Sequence, residues 1–120
     1  MAPEIFELKK NKCFTIAEAR ALLPVIKRIT HEAVDQVTHL EEEMTEANPE
    51  PALQVRFEEQ LSDIVQRWSN KVTKLGAIPK GFWLVDFDNG TGYFCWKYNE
   101  TALDYFHDYA QGFSGRTPLN

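Results

Sequence analysis

The sequence predicts an α+β domain in which a long antiparallel helical hairpin is followed by a β-hairpin and a short C-terminal helix. Three observations carry this. Two long segments place apolar residues every three or four positions. The prolines of Asn48-Pro49-Glu50-Pro51 separate those segments. Past Gly76 the helical period gives way to two aromatic-rich runs around an Asn-Gly pair. The 120 residues are the usual size of one domain and contain no internal repeat, so residues 1–120 are read as a single unit.

The first helix opens at Thr15, which stands three residues before Glu18 in the pattern of a capping box. Phe14, just outside, is placed to pack on Ala19. The apolar stripe then runs through Leu22, Leu23, Ile26, Ile29, Ala33, Val37, Leu40 and Met44, which carries the helix to about Ala47. Pro24 lies inside it, lacks an N–H for the preceding turn, and predicts a kink there. The second helix starts at Pro51 and reads Leu53, Phe57, Leu61, Ile64, Trp68, Val72 and Leu75, with Gly76 placed to end it in a left-handed cap. A short connection between two long helices makes them antiparallel neighbours.

Residues 82–87 and 93–98 read as strands, and Asp88-Asn89-Gly90-Thr91-Gly92 as the turn between them. Two strands alone are marginal in water. A third is expected from residues 5–8 or from around Phe14, unless the aromatic face lies on the helices. Thr101 and Asp104 read as the cap of a short helix with Leu103, Phe106, His107 and Ala110 on one stripe, closed by Gly112. Phe113 then anchors the tail as a plug in the core.

Net charge is −5, and Glu41, Glu42, Glu43 and Glu46 form an acidic run, while the basic residues are scattered. Nucleic-acid binders concentrate Lys and Arg against phosphates, so nucleic acid and anionic membranes are not the expected partners. No apolar run approaches the roughly 20 residues of a membrane span. The N-terminus lacks the apolar core of a signal peptide, and the two cysteines, Cys13 and Cys95, are expected as reduced thiols in a cytoplasmic setting.

Four constellations bear on function. Cys95 and His107 are a thiol and a base, yet Cys95 sits mid-strand, where a buried hydrophobe is the ordinary role. His31 and His39 are eight apart on the first helix, farther than the three or four that bring two imidazoles to one metal. The tighter group is His107 with Asp104 and Asp108, and His107 is the metal ligand singled out. Gly112-Phe113-Ser114-Gly115-Arg116 has the makings of an anion-binding loop, but without the strand-to-helix context of a phosphate loop. Arg116 is instead expected to pair with Asp86, Glu100 or Asp104. Finally, Ile26, Ile29, Ala33, Val37, Leu40 and Met44 approximate a heptad seam suited to a second copy, unless the second helix covers it.

Phe14-Thr15 with Glu18-Ala19 and Leu22-Leu23-Pro24, then Gly76 and Leu84-Val85-Asp86-Phe87, form two blocks. Cys95-Trp96, Glu100, Tyr105-Phe106-His107 and residues 112–119 form a third. Together they resemble the prokaryotic domain-of-unknown-function family 2203. The resemblance implies no established activity, but it groups Asp86, Cys95, Trp96, Glu100, His107 and Arg116 as residues that converge if the hairpin and the last segment pack together. Within that group Asp86 and Arg116 are the expected charged pair, with His107 held by a backbone carbonyl. The chain departs from the family at Asp88 and Asn99, both in turns.

The leading expectation is a non-enzymatic module that self-associates, as a homodimer, or binds a protein partner through its helices. The alternative is a small-ligand (anion) or metal-binding protein, or an enzyme, with ligand-binding residues Asp86, Cys95, Glu100, His107 and Arg116. No cofactor is indicated by the sequence.

Overall fold

The structure, a computed structural model, describes residues 12–46 and 50–119. Helix α1 spans Ile16–Glu46 and helix α2 spans Pro51–Lys74; the strands are β1 Ile78–Lys80, β2 Leu84–Asp88, β3 Gly92–Lys97, β4 Tyr105–Asp108 and β5 Thr117–Pro118. A 3-10 turn, Phe113–Gly115, precedes β5. This is the α+β architecture that the sequence implies, with more sheet and less helix at the C-terminal end.

The helix ends form as their residues dictate. Thr15 N–H donates to Glu18 Oε1 at 2.9 Å and Glu18 N–H donates to Thr15 Oγ1 at 3.1 Å, the reciprocal pair of a capping box. At the end of α2, Gly76 takes φ +93°. Its N–H donates to the Thr73 carbonyl and that of Ala77 to Val72, closing a Schellman motif. The helices run antiparallel. Trp68 Nε1 donates to Thr30 Oγ1 at 2.8 Å, while farther out Met44 and Leu40 lie beside Leu53 and Phe57, so contacts advance along α1 as they retreat along α2. Ile26, Ala33 and Leu40 of the expected dimer seam are buried within the chain, and Ile29 and Val37 pack against the same core. At those positions α1 offers no open stripe to a second copy.

The sheet is an antiparallel meander in the order β1-β2-β3-β4-β5. The β2–β3 turn centres on Asn89-Gly90, with Gly90 at φ +96°. Asn89 Oδ1 accepts from the N–H groups of Thr91 and Gly92. The expected strand at 82–87 begins only at Leu84, because Phe82 and Trp83 form the β1–β2 turn. Trp83 there holds φ 71°, a strained angle for a bulky residue, with its ring packed edge-on against Trp68 at 4.9 Å. The hairpin's extra neighbours are β1 and β4. Phe14 adds no strand: its N–H donates to the Asp88 carbonyl at 2.7 Å and its ring packs edge-on against Phe87 at 5.4 Å. Residues 5–8, the other expected source of a strand, lie outside the described residues.

The expected C-terminal helix is corrected: its centre is strand β4, paired with β3 through Tyr93↔His107, Phe94↔Phe106 and Cys95↔Tyr105. Leu103, Phe106, His107 and Ala110 fit a helical stripe, but the same stretch alternates with period two. An aromatic strand docked on an open sheet edge outweighs a short helix with one apolar side. Phe113 does not plug the core either, being 37% exposed.

Residues paired directly across an antiparallel ladder share a face. Val85, Phe87, Phe94 and Trp96 point to the helix side and join Ala19, Ile26, Trp68 and Val72 in the core. The other face carries a row across all five strands, Ile78, Asp86, Cys95, Tyr105 and Pro118, with Asp88, Tyr93 and His107 beside it.

Candidate functional site

That second face is where a polar cluster closes. Asp86 (β2), Cys95 (β3) and His107 (β4) are 3%, 1% and 3% exposed, and one ligating atom from each lies within 4.8 Å of the others. Asp86 and Cys95 are direct ladder partners. Asp86 and His107 stand two strands apart, about 9.5 Å of backbone separation, and lean toward each other across β3. His107 Nε2 is 3.4 Å from Asp86 Oδ1 and 3.4 Å from Oδ2.

The other imidazole nitrogen fixes the tautomer. His107 Nδ1 lies 3.0 Å from the carbonyl of Asp108. A carbonyl only accepts, so Nδ1 carries the hydrogen and Nε2 turns its remaining valence to the carboxylate. Gly92 makes the seat possible, since a Cβ there would come 2.5 Å from the His107 carbonyl oxygen and 2.9 Å from Asp108 Cα. The ring of Tyr93 lies against His107 at 5.4 Å, and Tyr109 packs on Tyr93 at 5.1 Å, with its hydroxyl donating to Asp88.

Cys95 is not an activated nucleophile. Burial, and then the charge of Asp86, push its thiol up to about 12, against a smaller opposing pull from Arg116. A reactive cysteine needs the reverse environment, and the histidine that would serve as its base is turned to Asp86 instead.

Arg116 closes the other end. Its guanidinium holds the Glu100 carboxylate with both arms, Nη1 to Oε1 at 3.0 Å and Nη2 to Oε2. It stacks between the rings of Tyr105 and Phe113 at 3.9 and 4.2 Å. Partial burial works against the charge on Glu100, but Arg116 and the Lys97 N–H outweigh it and hold the carboxyl below its usual range. Of the three partners foreseen for Arg116, Glu100 is the one it takes. The expected Asp86–Arg116 pair does not form, because Asp86 faces His107, while the backbone carbonyl foreseen for His107 is there.

The other histidines lie elsewhere. His31 Nδ1 meets the Tyr98 hydroxyl, and His39 sits exposed between Asp35 and Glu42. Asp104 pairs with Arg20 rather than joining His107. Asp108 shares β4 with His107 but points to the opposite face. Trp96 also leaves the group, since it faces the helices. Tyr93 and Tyr105 supply the aromatic cover, Tyr93 against His107 and Tyr105 against the Arg116 guanidinium. Their signal is a position two residues before Cys95 and His107, visible once both runs are read as strands.

The molecule is thus an α+β protein whose helical hairpin carries a five-stranded meander with a buried Asp–Cys–His cluster on the far face. It belongs to the family described as an uncharacterized conserved protein, DUF2203, whose pattern matches residues 12–119. Neither a curated protein nor a solved structure matches the chain. Among the described residues, no helix is long and apolar enough to cross a membrane.

Proposed function

We propose that the protein binds one transition-metal ion of the zinc class between Asp86, Cys95 and His107. The observation that carries this reading is the convergence of three buried donors from three adjacent strands, with the histidine already oriented through its second nitrogen. Metal-binding histidines characteristically give their other N–H to a carbonyl or carboxylate, as His107 does to Asp108.

The spacing of Nε2 and Asp86 supports the same conclusion. A charge-assisted N–H···O⁻ bond draws in to about 2.7–2.9 Å. Neighbouring donors on a tetrahedral ion with bonds of about 2.0–2.1 Å stand about 3.3–3.4 Å apart, which matches the 3.4 Å seen here. The cluster's widest separation, 4.8 Å at most, closes by about an ångström on binding. Thiolate and imidazole together favour zinc-class ions over magnesium or calcium. Three protein donors leave a fourth position for water or another ligand. With all three donors buried, the ion's principal effect is to clamp β2, β3 and β4. In the metal-free chain burial and Asp86 keep Cys95 a thiol, with Arg116 opposing them only in part, so it is the ion itself that would draw off the proton.

Zinc titration of the purified chain against a competing chelator tests this. One equivalent is expected to be retained, with a higher melting temperature, and retention is lost in Cys95→Ser and in His107→Ala. Equal uptake by Cys95→Ser would point to the exposed His39, Asp35 and Glu42 group instead and remove the proposal. The metal-free competitor, a buried imidazolium–carboxylate pair, predicts no stabilisation by zinc.

A further inference from the structure

On the helix side of the sheet, α1 and the loop from Tyr98 to Asp104 enclose two adjoining hollows. One, of about 500 Å³, lies over Arg20, Pro24 and Leu103; the other, of about 370 Å³, lies over Arg28 and Tyr98. Lys27 and Thr101 line both, so the two form one trough. From Arg20 to Lys27 it follows about two helical turns, roughly 10 Å.

The trough is positive in a protein of net charge −5. Its nearby carboxylates are engaged: Asp104 lies 3.8 Å from Arg20, and Glu100 is held by Arg116. Among the described residues, neither Lys27 nor Arg28 has a carboxylate within ion-pair distance. Lys27 Nζ donates to the Thr101 carbonyl at 3.1 Å, which uses one of the three N–H groups of an ammonium and leaves the others for a ligand. At the opposite end the walls are apolar apart from Arg20, which is held by Asp104 and the Leu103 carbonyl; Pro24 and Ala102 are exposed there and Leu23 is buried beneath. A hollow of a few hundred Å³ with an apolar end and convergent cations has the size and chemistry of a small-ligand site.

We infer that this trough binds a small amphipathic anion, a carboxylate or phosphate head at Lys27 and Arg28 carrying an apolar body that lies on Pro24 and Ala102. The site is separate from the Asp86–Cys95–His107 cluster and does not depend on it.

The test is a titration of the ¹⁵N-labelled full chain with octanoate, octyl phosphate and octanol, followed by amide shifts. Octanoate or octyl phosphate is expected to give saturable shifts at Lys27, Thr101 and Ala102, and whichever binds more tightly identifies the preferred head. Octanol should bind about tenfold more weakly, the loss of one charge-assisted contact. The variant Lys27→Glu/Arg28→Glu, at a half-buried and an exposed position, should lose the octanoate shifts, and Lys27→Gln/Arg28→Gln should weaken them while its spectrum stays that of the folded chain. Equal binding of octanol and octanoate, shifts scattered along the hairpin, or no response at the trough would each overturn the assignment.

Discussion

The two faces of the sheet are closed to water by opposite chemistry. Val85, Phe87, Phe94 and Trp96 meet the helices in an apolar core, where burial is itself the stabilising force. On the far face Asp86, Cys95 and His107 are buried just as deeply, under tyrosine rings and a stacked arginine. Burying a carboxylate and an imidazole is unfavourable unless each finds a partner. The inner face therefore explains why the domain folds, and the outer face requires a reason of its own. The His107–Asp86 contact and the Asp108 carbonyl already give these groups partners, and the proposed ion would engage all three donors together.

Phe87→Ala should have the largest effect on the inner face, a loss of about 3–5 kcal/mol in urea unfolding, from transfer and cavity terms together. A loss below about 1 kcal/mol would mean that the helix-facing core is not what holds the domain. On the outer face, His107→Leu should destabilise the metal-free protein toward the lower end of about 3–5 kcal/mol, because it strands the Asp86 carboxylate. The double variant Asp86→Leu/His107→Leu should recover most of that loss while binding no metal. If the double variant were as unstable as the single one, shape rather than charge would govern this face.

Glu100→Gln sharpens the contrast at the edge of the site. It should cost about 1.5–3 kcal/mol at neutral pH, the range for hydrogen bonds to charged groups. Glu100 titrates below its usual value of 4.5 in the folded chain. Its contribution is therefore complete above that value and lost as pH falls through the lower folded one. Melting curves of the two proteins should converge in acid; a gap unchanged down to the lowest pH tolerated would contradict the ion pair. Smallest, Thr15→Ala should remove about 1 kcal/mol by deleting the α1 cap, read as a shift in the urea midpoint.

The helices were legible in the sequence because their signals are local: Thr15 with Glu18, the apolar stripe, and Gly76 in its left-handed cap. The strand at Tyr105–Asp108 was not, because a run this short fits either period and only its pairing with β3 decides. The site members Asp86, Cys95, Glu100, His107 and Arg116 were grouped, together with Trp96, by the resemblance to the family rather than by any spacing in the chain. Their partners depended on the missed strand. With β4 in place, His107 falls in the row beside Asp86 and Cys95, and Arg116 is carried past them to Glu100. The basic trough was invisible for a related reason, since Arg20 and Lys27 meet Leu103 and Thr101 only through the tertiary fold.

The central claim is most directly tested by adding cobalt(II) to the metal-free protein and recording its absorption spectrum. Intense near-ultraviolet thiolate-to-cobalt charge transfer, together with the visible bands of a tetrahedral ion, saturating at one equivalent and absent in Cys95→Ser, is the predicted result. A spectrum like that of aqueous cobalt, or one unchanged by Cys95→Ser, would contradict the metal site and leave the cluster as a buried ion pair.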